Sequence, residues 1–228
     1  MRRKEHEVCM RKMSRESFQA GVVGQRWLTG HVFEISFERP RGFSFIPGQK
    51  VSLTIDDITR QYTLINQPDA SKLTICVGHV PDGRLTPLLA RARPGEIVIL
   101  SAAAGFFIYQ SLGRKAVFVA TGTGIAPFLA FIRNGVRDFC CLQGAINERE
   151  LLYRDEVEQA AGEYIPCLSA PESNGPFWNG RVTSYLEQRL AKERYDFYLC
   201  GNVDMIRDAI RIIDQHFPGS RVFMETFF

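Results

Sequence analysis

The stretch Ala116-Val117-Phe118-Val119-Ala120-Thr121-Gly122-Thr123-Gly124-Ile125-Ala126-Pro127 decides the fold of the second half of this chain. Its uninterrupted apolar run predicts a strand that is buried on both faces, as in a parallel sheet. A glycine-rich turn and a helical pattern follow. This order of strand, turn and helix is the repeating unit of an α/β sheet.

The same alternation continues to the end of the chain. Strands are predicted over 139–142, 164–168, 196–200 and 222–224, and helices over 149–161, 182–191 and 203–216. Strands that alternate with helices pair in parallel, which predicts a doubly wound parallel sheet. We expect this α/β domain to span residues 113–228, after a linker near 110–114.

The preceding part of the chain carries a different pattern. Polar and apolar residues alternate in runs such as 31–37 and 50–55, and Pro–Gly and Asp–Gly turns separate these runs. Several short strands with such turns predict an antiparallel β-barrel over residues 18–112. One short helix is expected at about 86–93, and residues 1–17 form a basic N-terminal tail.

Composition excludes several classes of protein. The net charge of +3 over 228 residues argues against nucleic acid as a partner. The six cysteines show neither a C-x-x-C pair nor iron–sulfur spacing, which predicts reduced thiols and a cytoplasmic protein. The four histidines are too scattered to suggest a metal site. No apolar run approaches the ~20 residues that a membrane-spanning helix needs, so we expect no membrane contact.

The segment Arg60-Gln61-Tyr62-Thr63 suits a flavin nucleotide. Along a strand, Arg60 and Tyr62 share one face, while Gln61 and Thr63 share the other. A guanidinium can bind a pyrophosphate, an aromatic ring suits the flat isoalloxazine, and a hydroxyl can bond flavin N5 or O4. An exposed charge, a core aromatic and a strand-favouring threonine are the competing interpretation.

Two neighbouring segments favour the flavin. Pro81-Asp82-Gly83-Arg84-Leu85-Thr86-Pro87 reads as a turn that leads into a helix, with Thr86 as N-cap and Pro87 as its first residue. Free N–H groups at such a start can hold a pyrophosphate. The run 101–107 sets small residues beside two phenylalanines, which leaves room for a planar ligand.

The glycine-rich turn after the central strand suits a nicotinamide dinucleotide. Gly122 and Gly124 let the backbone approach the ligand, and a helix N-terminus favours phosphate. A simple tight turn is the alternative, since the spacing is not G-x-G-x-x-G. Cys200-Gly201-Asn202 ends another parallel strand at the same edge of the sheet, where open α/β sheets bind ligands. A buried core thiol is the alternative for Cys200.

In this order, the motifs at 60–63, 80–87, 103–107 and 120–124 resemble those of the ferredoxin–NADP(+) reductase family, in particular its bacterial ferredoxin/flavodoxin reductases. The resemblance spans residues 19–228. It implies a flavin-binding barrel and a nicotinamide-nucleotide-binding α/β domain. It further implies FAD contacts and NADP contacts at two sets of residues. The FAD set is Arg60, Gln61, Tyr62, Thr63, Gly83, Arg84, Leu85, Thr86 and Thr123; the NADP set is Thr121, Gly122, Gly124, Pro127, Arg181, Cys200, Gly201, Asn202 and Met205.

The resemblance also assigns roles near the C-terminus. Phe227 and Phe228 are both candidates to stack on the flavin, and Glu225 stands where the family has a glutamate in proton transfer. Thr63, Cys200 and Glu225 are therefore the predicted catalytic residues. Ile146 replaces an arginine of the bacterial reductases, so NADPH is the expected coenzyme with NADH as the alternative.

The sequence thus predicts a monomeric FAD enzyme that transfers electrons between NADPH and ferredoxin or flavodoxin, by hydride transfer between nicotinamide C4 and flavin N5. The flavin type follows from the resemblance, since the residues alone do not exclude FMN. Two alternatives stay open: an NAD(P)H-dependent free-flavin or ferric reductase, and a non-catalytic nucleotide-binding redox sensor.

Overall fold

The computed structural model describes residues 17–226. The chain divides into two compact units, the first ending at Ile108 and the second beginning at Tyr109. The predicted tail, residues 1–17, and the C-terminal Phe227 and Phe228 lie outside the described residues except for Ser17. Within residues 17–226, none of the helices combines the length and apolarity that a membrane span requires.

The first unit is an antiparallel six-stranded barrel. Its strands follow the order β4-β3-β6-β1-β2-β5 around the sheet. An antiparallel bridge between Leu64 and Ile75, with an Ile65 N–H bond to the Thr74 carbonyl, links the chain just after β4 to the middle of β5 and nearly closes the barrel. The strands are β1 (Ser17–Trp27), β2 (Val32–Glu38), β3 (Lys50–Ile55), β4 (Ile58–Thr63), β5 (Lys72–Gly78) and β6 (Ile97–Ser101).

Alternation in sequence produces the interior of this barrel. In β2, Phe33, Ile35 and Phe37 are fully buried while Glu34 and Ser36 are not, because successive side chains point to opposite faces of a strand. A short helix, α1 (Thr86–Arg91), follows β5 and contributes Leu89 to the core. The predicted barrel and its interrupting helix are confirmed.

The second unit is a parallel six-stranded sheet with the strand order β10-β9-β8-β7-β11-β12. The chain moves outward from the central β7 to β8, β9 and β10, and then returns to the other side of β7 for β11 and β12. This reversal is the defining feature of a doubly wound sheet. Its strands are β7 (Ala116–Thr121), β8 (Cys140–Ala145), β9 (Glu163–Leu168), β10 (Trp178–Asn179), β11 (Asp196–Gly201) and β12 (Arg221–Thr226).

Helices connect these strands: α2 (Ala126–Arg133), α3 (Arg154–Ala160), α4 (Val182–Gln188) and α5 (Val203–His216). The predicted helix over 149–161 was too long. A separate 3₁₀ turn covers Glu148–Glu150, and α3 begins only after Tyr153, whose backbone is left-handed at φ 55°. The short strand β10 was not predicted, since two residues give no periodicity.

The segment that was predicted as a linker, 110–114, belongs structurally to the second unit. The Tyr109 ring packs on Phe118 and Phe131, and Gln110 exchanges hydrogen bonds with the Tyr198 hydroxyl through its N–H and carbonyl. The carbonyl of Leu112 accepts from Arg221. Such contacts hold this segment against the α/β sheet, so the division falls slightly earlier than the predicted boundary.

Candidate nucleotide-binding site

In the second unit the order in which the chain adds strands reverses between β7 and β11. Both of these strands end in glycine-containing turns. β7 leads into a 3₁₀ turn at Gly122–Ile125, whose first residue adopts a φ of 53°. β11 ends at Gly201, where φ is 137°. Ligands of open α/β sheets bind in the crevice at such a switch point. The residues predicted to hold the dinucleotide are thus brought to one edge of one sheet.

The two turns contact each other closely enough to require glycine at both positions. A Cβ on Gly124 would lie 2.3 Å from the Cys200 carbonyl oxygen, and a Cβ on Gly201 would lie 2.3 Å from Thr121 Oγ1. The Thr121 hydroxyl also accepts a bond from the Asn202 N–H at 3.1 Å. Gly122 by contrast has open space around it, since no atom other than those of its two chain neighbours lies within 4 Å of the position that a Cβ would take there.

Asn202 starts the helix α5. Its side-chain oxygen accepts from the N–H groups of Asp204 and Met205 at 2.8 and 3.3 Å, as an N-cap residue does. Met205 is buried in the core of this unit. Asn202 thus fixes the path of the backbone from β11 into α5 beside the Thr121–Gly124 turn.

Cys200 and Glu225 are adjacent in the sheet. Cys200 pairs with Ala120 on one side and Glu225 on the other. The Cys200 side chain is fully buried, whereas Glu225 is partly exposed. The carbonyl oxygen of Cys200 is the atom nearest to the position that a Cβ would take on Gly124. The catalytic roles of both residues stay predictions.

The first unit contains one polar atom that is buried without a partner in the segment predicted to bind the flavin. Thr63, at the end of β4, is 2% exposed, and its hydroxyl has no hydrogen-bond partner in the structure. Such a group costs about 1–3 kcal/mol when it stays unpaired. A ligand that offers a hydrogen-bonding atom would remove that cost, so Thr63 fits the predicted flavin contact.

The remainder of β4 presents the predicted side chains to different surroundings. Its register pairs Arg60 with Leu53 and Tyr62 with Val51. Tyr62 packs against the barrel core, and this burial raises its pKa to about 12 despite the opposing effect of Arg60. Arg60 and Gln61 are exposed. Arg60 donates to the Thr59 carbonyl and forms no ion pair within residues 17–226.

The loop before α1 is braced differently from the prediction. Thr86 is not the N-cap, which is Leu85, and Pro87 is therefore the second helical residue. The Thr86 hydroxyl instead bonds the N–H and the carbonyl of Val80, at 3.0 and 3.1 Å. These bonds close the turn around Gly83, whose N–H donates to the same Val80 carbonyl. Thr86 therefore stabilises the preceding turn of its own loop and does not cap the helix.

Within this loop the candidates differ in exposure. Arg84 is exposed and forms no ion pair within the described part of the chain, so its guanidinium is available to an anion. Leu85 is buried at 2% and anchors the loop in the barrel core. Any ligand contact at Leu85 must therefore come from its backbone.

Sequence reasoning missed a polar network that joins the loop after β8 to the loop after β9. The Glu148 carboxylate accepts from the N–H groups of Glu172 and Ser173, and from the Ser173 hydroxyl at 2.7 Å. These bonds, the Glu172 N–H first among them, lower the pKa of Glu148 to about 2. Arg149 pairs with Glu172 at 3.0 Å, and not with Asp155 or Glu150, its acidic neighbours in sequence.

The remaining coenzyme candidates lie at the same edge of the sheet. Arg181 follows β10, begins α4 and is exposed; it forms no ion pair among residues 17–226. Ile146 follows β8 and is 60% exposed. Pro127 is buried in the first turn of α2, and Thr123, which was predicted as an FAD contact, lies in the 3₁₀ turn before it.

Comparisons with known proteins agree with this arrangement. Residues 118–211 match the family model of the oxidoreductase NAD-binding domain. The chain is 34% identical over 182 residues to ferredoxin–NADP reductase B of Sorangium cellulosum, covering 73% of this chain and 74% of that protein. It is 29% identical to the flavodoxin/ferredoxin–NADP reductase of Escherichia coli, covering 80% and 88%.

A longer relative and a solved structure extend the comparison. The toluate 1,2-dioxygenase electron transfer component of Pseudomonas putida is 27% identical, and the match covers 88% of this chain but only 63% of that protein. The structure of a ferredoxin NADP+ reductase from Neisseria gonorrhoeae, with bound FAD and NADP, matches with a TM-score of 0.82 at 21% identity, covering 93% and 99%. The two-domain fold predicted from the sequence is confirmed. By these similarities the chain belongs to the ferredoxin–NADP reductase family of oxidoreductases.

Proposed function

We propose that this chain is an FAD-dependent oxidoreductase that transfers electrons between a nicotinamide dinucleotide and a one-electron carrier protein, ferredoxin or flavodoxin. One observation carries the proposal: in a member of this family, both strands at the switch point end in glycine-containing turns, and Gly124 leaves no room for a side chain beside Cys200. When bound, the flavin and the nicotinamide supply the redox chemistry by hydride transfer between nicotinamide C4 and flavin N5.

The barrel fits a flavin nucleotide. The unpartnered Thr63 hydroxyl offers a buried hydrogen-bonding group, and the exposed guanidiniums of Arg60 and Arg84 offer charge for a pyrophosphate. Tyr62 supplies an aromatic ring two residues from Arg60 on the same strand. FAD, rather than FMN, is supported by the FAD in the structure from Neisseria gonorrhoeae.

The α/β unit fits a dinucleotide. The turn at Gly122–Ile125 opens its backbone toward the edge of the sheet, and α2 begins directly after it, so N–H groups are available to phosphate. Asn202 and Thr121 hold the second turn in place. In this proposal the two turns position the dinucleotide, and their glycines keep side chains out of its path. Glu225 exchanges protons at the site.

The carrier protein is proposed from the relatives. Two of them are named as reductases of ferredoxin or flavodoxin, and a third as the electron transfer component of a dioxygenase. The chain has no iron–sulfur cysteine spacing of its own. We propose that its acceptor is a separate one-electron carrier and that the chain acts as a monomer toward this carrier.

Anaerobic reduction tests the proposal. We expect the purified protein to be yellow, to release FAD on denaturation, and to bleach when NADPH or NADH is added. We then expect it to reduce flavodoxin or ferredoxin faster than free FMN at equal concentration. Faster reduction of free FMN or ferric chelates would favour a free-flavin or ferric reductase. A colourless protein that binds nucleotide without turnover would favour a redox sensor.

A further inference from the structure

We infer that this chain takes NADH in preference to NADPH, because the two loops that follow β8 and β9 carry net negative charge at the edge where the adenosine ribose binds. The inference rests on the proposed function and concerns the coenzyme of that same site. The expectation of NADPH came from the family resemblance, whereas the loop contacts belong to this chain.

The location follows from the sheet. In a doubly wound domain the pyrophosphate sits at the turn after the first strand, and the ribose lies near the end of the next strand. Here that turn is Gly122–Ile125, after β7, and the neighbouring strand is β8. An acidic residue there favours a ribose 2′-hydroxyl, whereas an arginine favours a 2′-phosphate.

The loops after β8 and β9 form one surface. The Ser169 N–H donates to the Ala145 carbonyl at 3.1 Å, and the Ala170 N–H donates to the Ile146 carbonyl at 2.8 Å. These bonds continue the pairing of β8 with β9 beyond the strands. A ribose at the end of β8 would therefore meet residues of both loops.

The charge of this surface is negative. Segments 145–150 and 169–175 contain three acidic residues and one basic residue, Glu148, Glu150 and Glu172 against Arg149, for a net charge of −2. The basic residue is already paired, since Arg149 lies 3.0 Å from the Glu172 carboxylate. Asn147 also donates to Glu172, at 3.1 Å.

The positions that could carry a further cation on this surface do not. Ile146 is apolar and 60% exposed, and Ala170 is exposed with only a methyl group. Glu148 stays ionised at neutral pH because three donors of the partner loop stabilise its carboxylate. A 2′-phosphate would thus be repelled by carboxylates, whereas a 2′-hydroxyl can donate to them.

Arg181 is the group that argues for NADPH. It is exposed, lies beyond β9 at the start of α4 and forms no ion pair in the described part of the chain. Arg181 contributes one positive charge, against a net charge of −2 on the two loops. Arg149 is not available to a phosphate because it is paired with Glu172. The balance therefore favours the coenzyme without the 2′-phosphate.

Equilibrium binding of NAD+ and NADP+ to the FAD-loaded protein tests the inference. We expect NAD+ to bind ~10-fold more tightly than NADP+ at low salt, the charge difference accounting for the ratio. Glu172→Gln removes one charge and frees Arg149, so it should narrow this ratio severalfold. Glu193→Gln, which neutralises an exposed glutamate in the segment before β11, should leave the ratio unchanged.

The outcomes separate the inference from the proposed function. Tighter binding of NADP+ than of NAD+ by the unaltered protein, with the preference lost in Arg181→Gln, would overturn the inference and leave the proposed function standing. Binding of neither nucleotide by a folded, FAD-loaded protein would overturn both. Because binding is measured directly, a slow or inactive preparation does not obscure the result.

Discussion

The α-carbon of Gly124 lies directly against the backbone of Cys200. A Cβ at Gly124 would be 2.3 Å from the Cys200 carbonyl oxygen, 2.5 Å from its carbon and 2.6 Å from the Gly201 α-carbon. All three are backbone atoms in or next to a buried strand, so no side-chain rotation can relieve the overlap. The two turns of the switch point can therefore pack this closely only because residue 124 has no side chain.

Gly124→Ala should separate these turns. We expect the free energy of unfolding to fall by about 1–3 kcal/mol from overpacking, and the affinity for nicotinamide nucleotide to fall at least ~10-fold. Thermal denaturation and equilibrium nucleotide binding measure the two effects. Gly30→Ala is the matched control, since nothing lies within 4 Å of a Cβ there. Wild-type nucleotide affinity in Gly124→Ala would contradict the proposed role of the contact.

Thr63 offers a prediction with opposite signs in the two forms of the protein. Without FAD, Thr63→Val should raise the stability, by as much as ~1–3 kcal/mol, because it removes a buried hydroxyl that has no partner. With FAD, the same variant should bind the cofactor more weakly, since a methyl group cannot hydrogen-bond it. Thr63→Ser retains the hydroxyl and should retain the affinity.

Denaturation of the FAD-free protein and fluorescence titration with FAD give the two values for each Thr63 variant. A Thr63→Val protein that binds FAD as tightly as the wild type would show that the hydroxyl does not meet the flavin. A destabilised FAD-free variant would show that Thr63 contributes to the barrel core through contacts other than its hydroxyl.

Periodicity predicted the architecture because burial depends on it directly. The run 116–120 could be recognised as a central strand since all of its residues are buried, and the helix 203–216 was predicted at the bounds that the structure has. Both elements are specified by their own residues.

Contacts that depend on how a loop folds back, or on which loops lie side by side, could not be predicted from the same patterns. Thr86 looked like an N-cap, but its hydroxyl bonds Val80, and this pairing depends on how the turn at Gly83 folds back. Arg149 had acidic neighbours in sequence, yet it pairs with Glu172 from the next loop. The hydrogen-bond and ion-pair partners of such side chains depend on which loops the fold brings together.

The link between the loops after β8 and β9 should depend on pH at unusually low values. In the folded protein the donors of Glu172 and Ser173 lower the pKa of Glu148 from 4.5 to about 2. Because the folded pKa is below the unfolded one, the stabilisation is present above pH 4.5 and is lost as the pH falls toward 2. The link is therefore intact at neutral pH.

NMR titration of the Glu148 carboxyl carbon measures this directly. We expect a midpoint near pH 2. The Ser173 amide proton resonance should move over the same pH range, because its hydrogen bond to Glu148 is weakened on protonation. Ser173→Ala removes the hydroxyl donor, so the Glu148 midpoint should move upward toward 4.5 in this variant. A wild-type midpoint at 4.5 would mean that the two loops are not joined in solution.

Cys200 can be tested against a second buried thiol of the same sheet. Cys200 ends β11 beside the switch point, whereas Cys167 lies in β9, and each is no more than 1% exposed. Replacement by serine puts a hydroxyl in both buried sites, so we expect both variants to lose stability.

If Cys200 also orients the nicotinamide, only Cys200→Ser should lower the rate of flavin reduction, by ~10- to 100-fold. Stopped-flow bleaching by NADH and NADPH separates the loss of rate from the loss of stability, provided that each variant is measured the same number of degrees below its own melting temperature. Equal rates in both variants would assign Cys200 to the core alone.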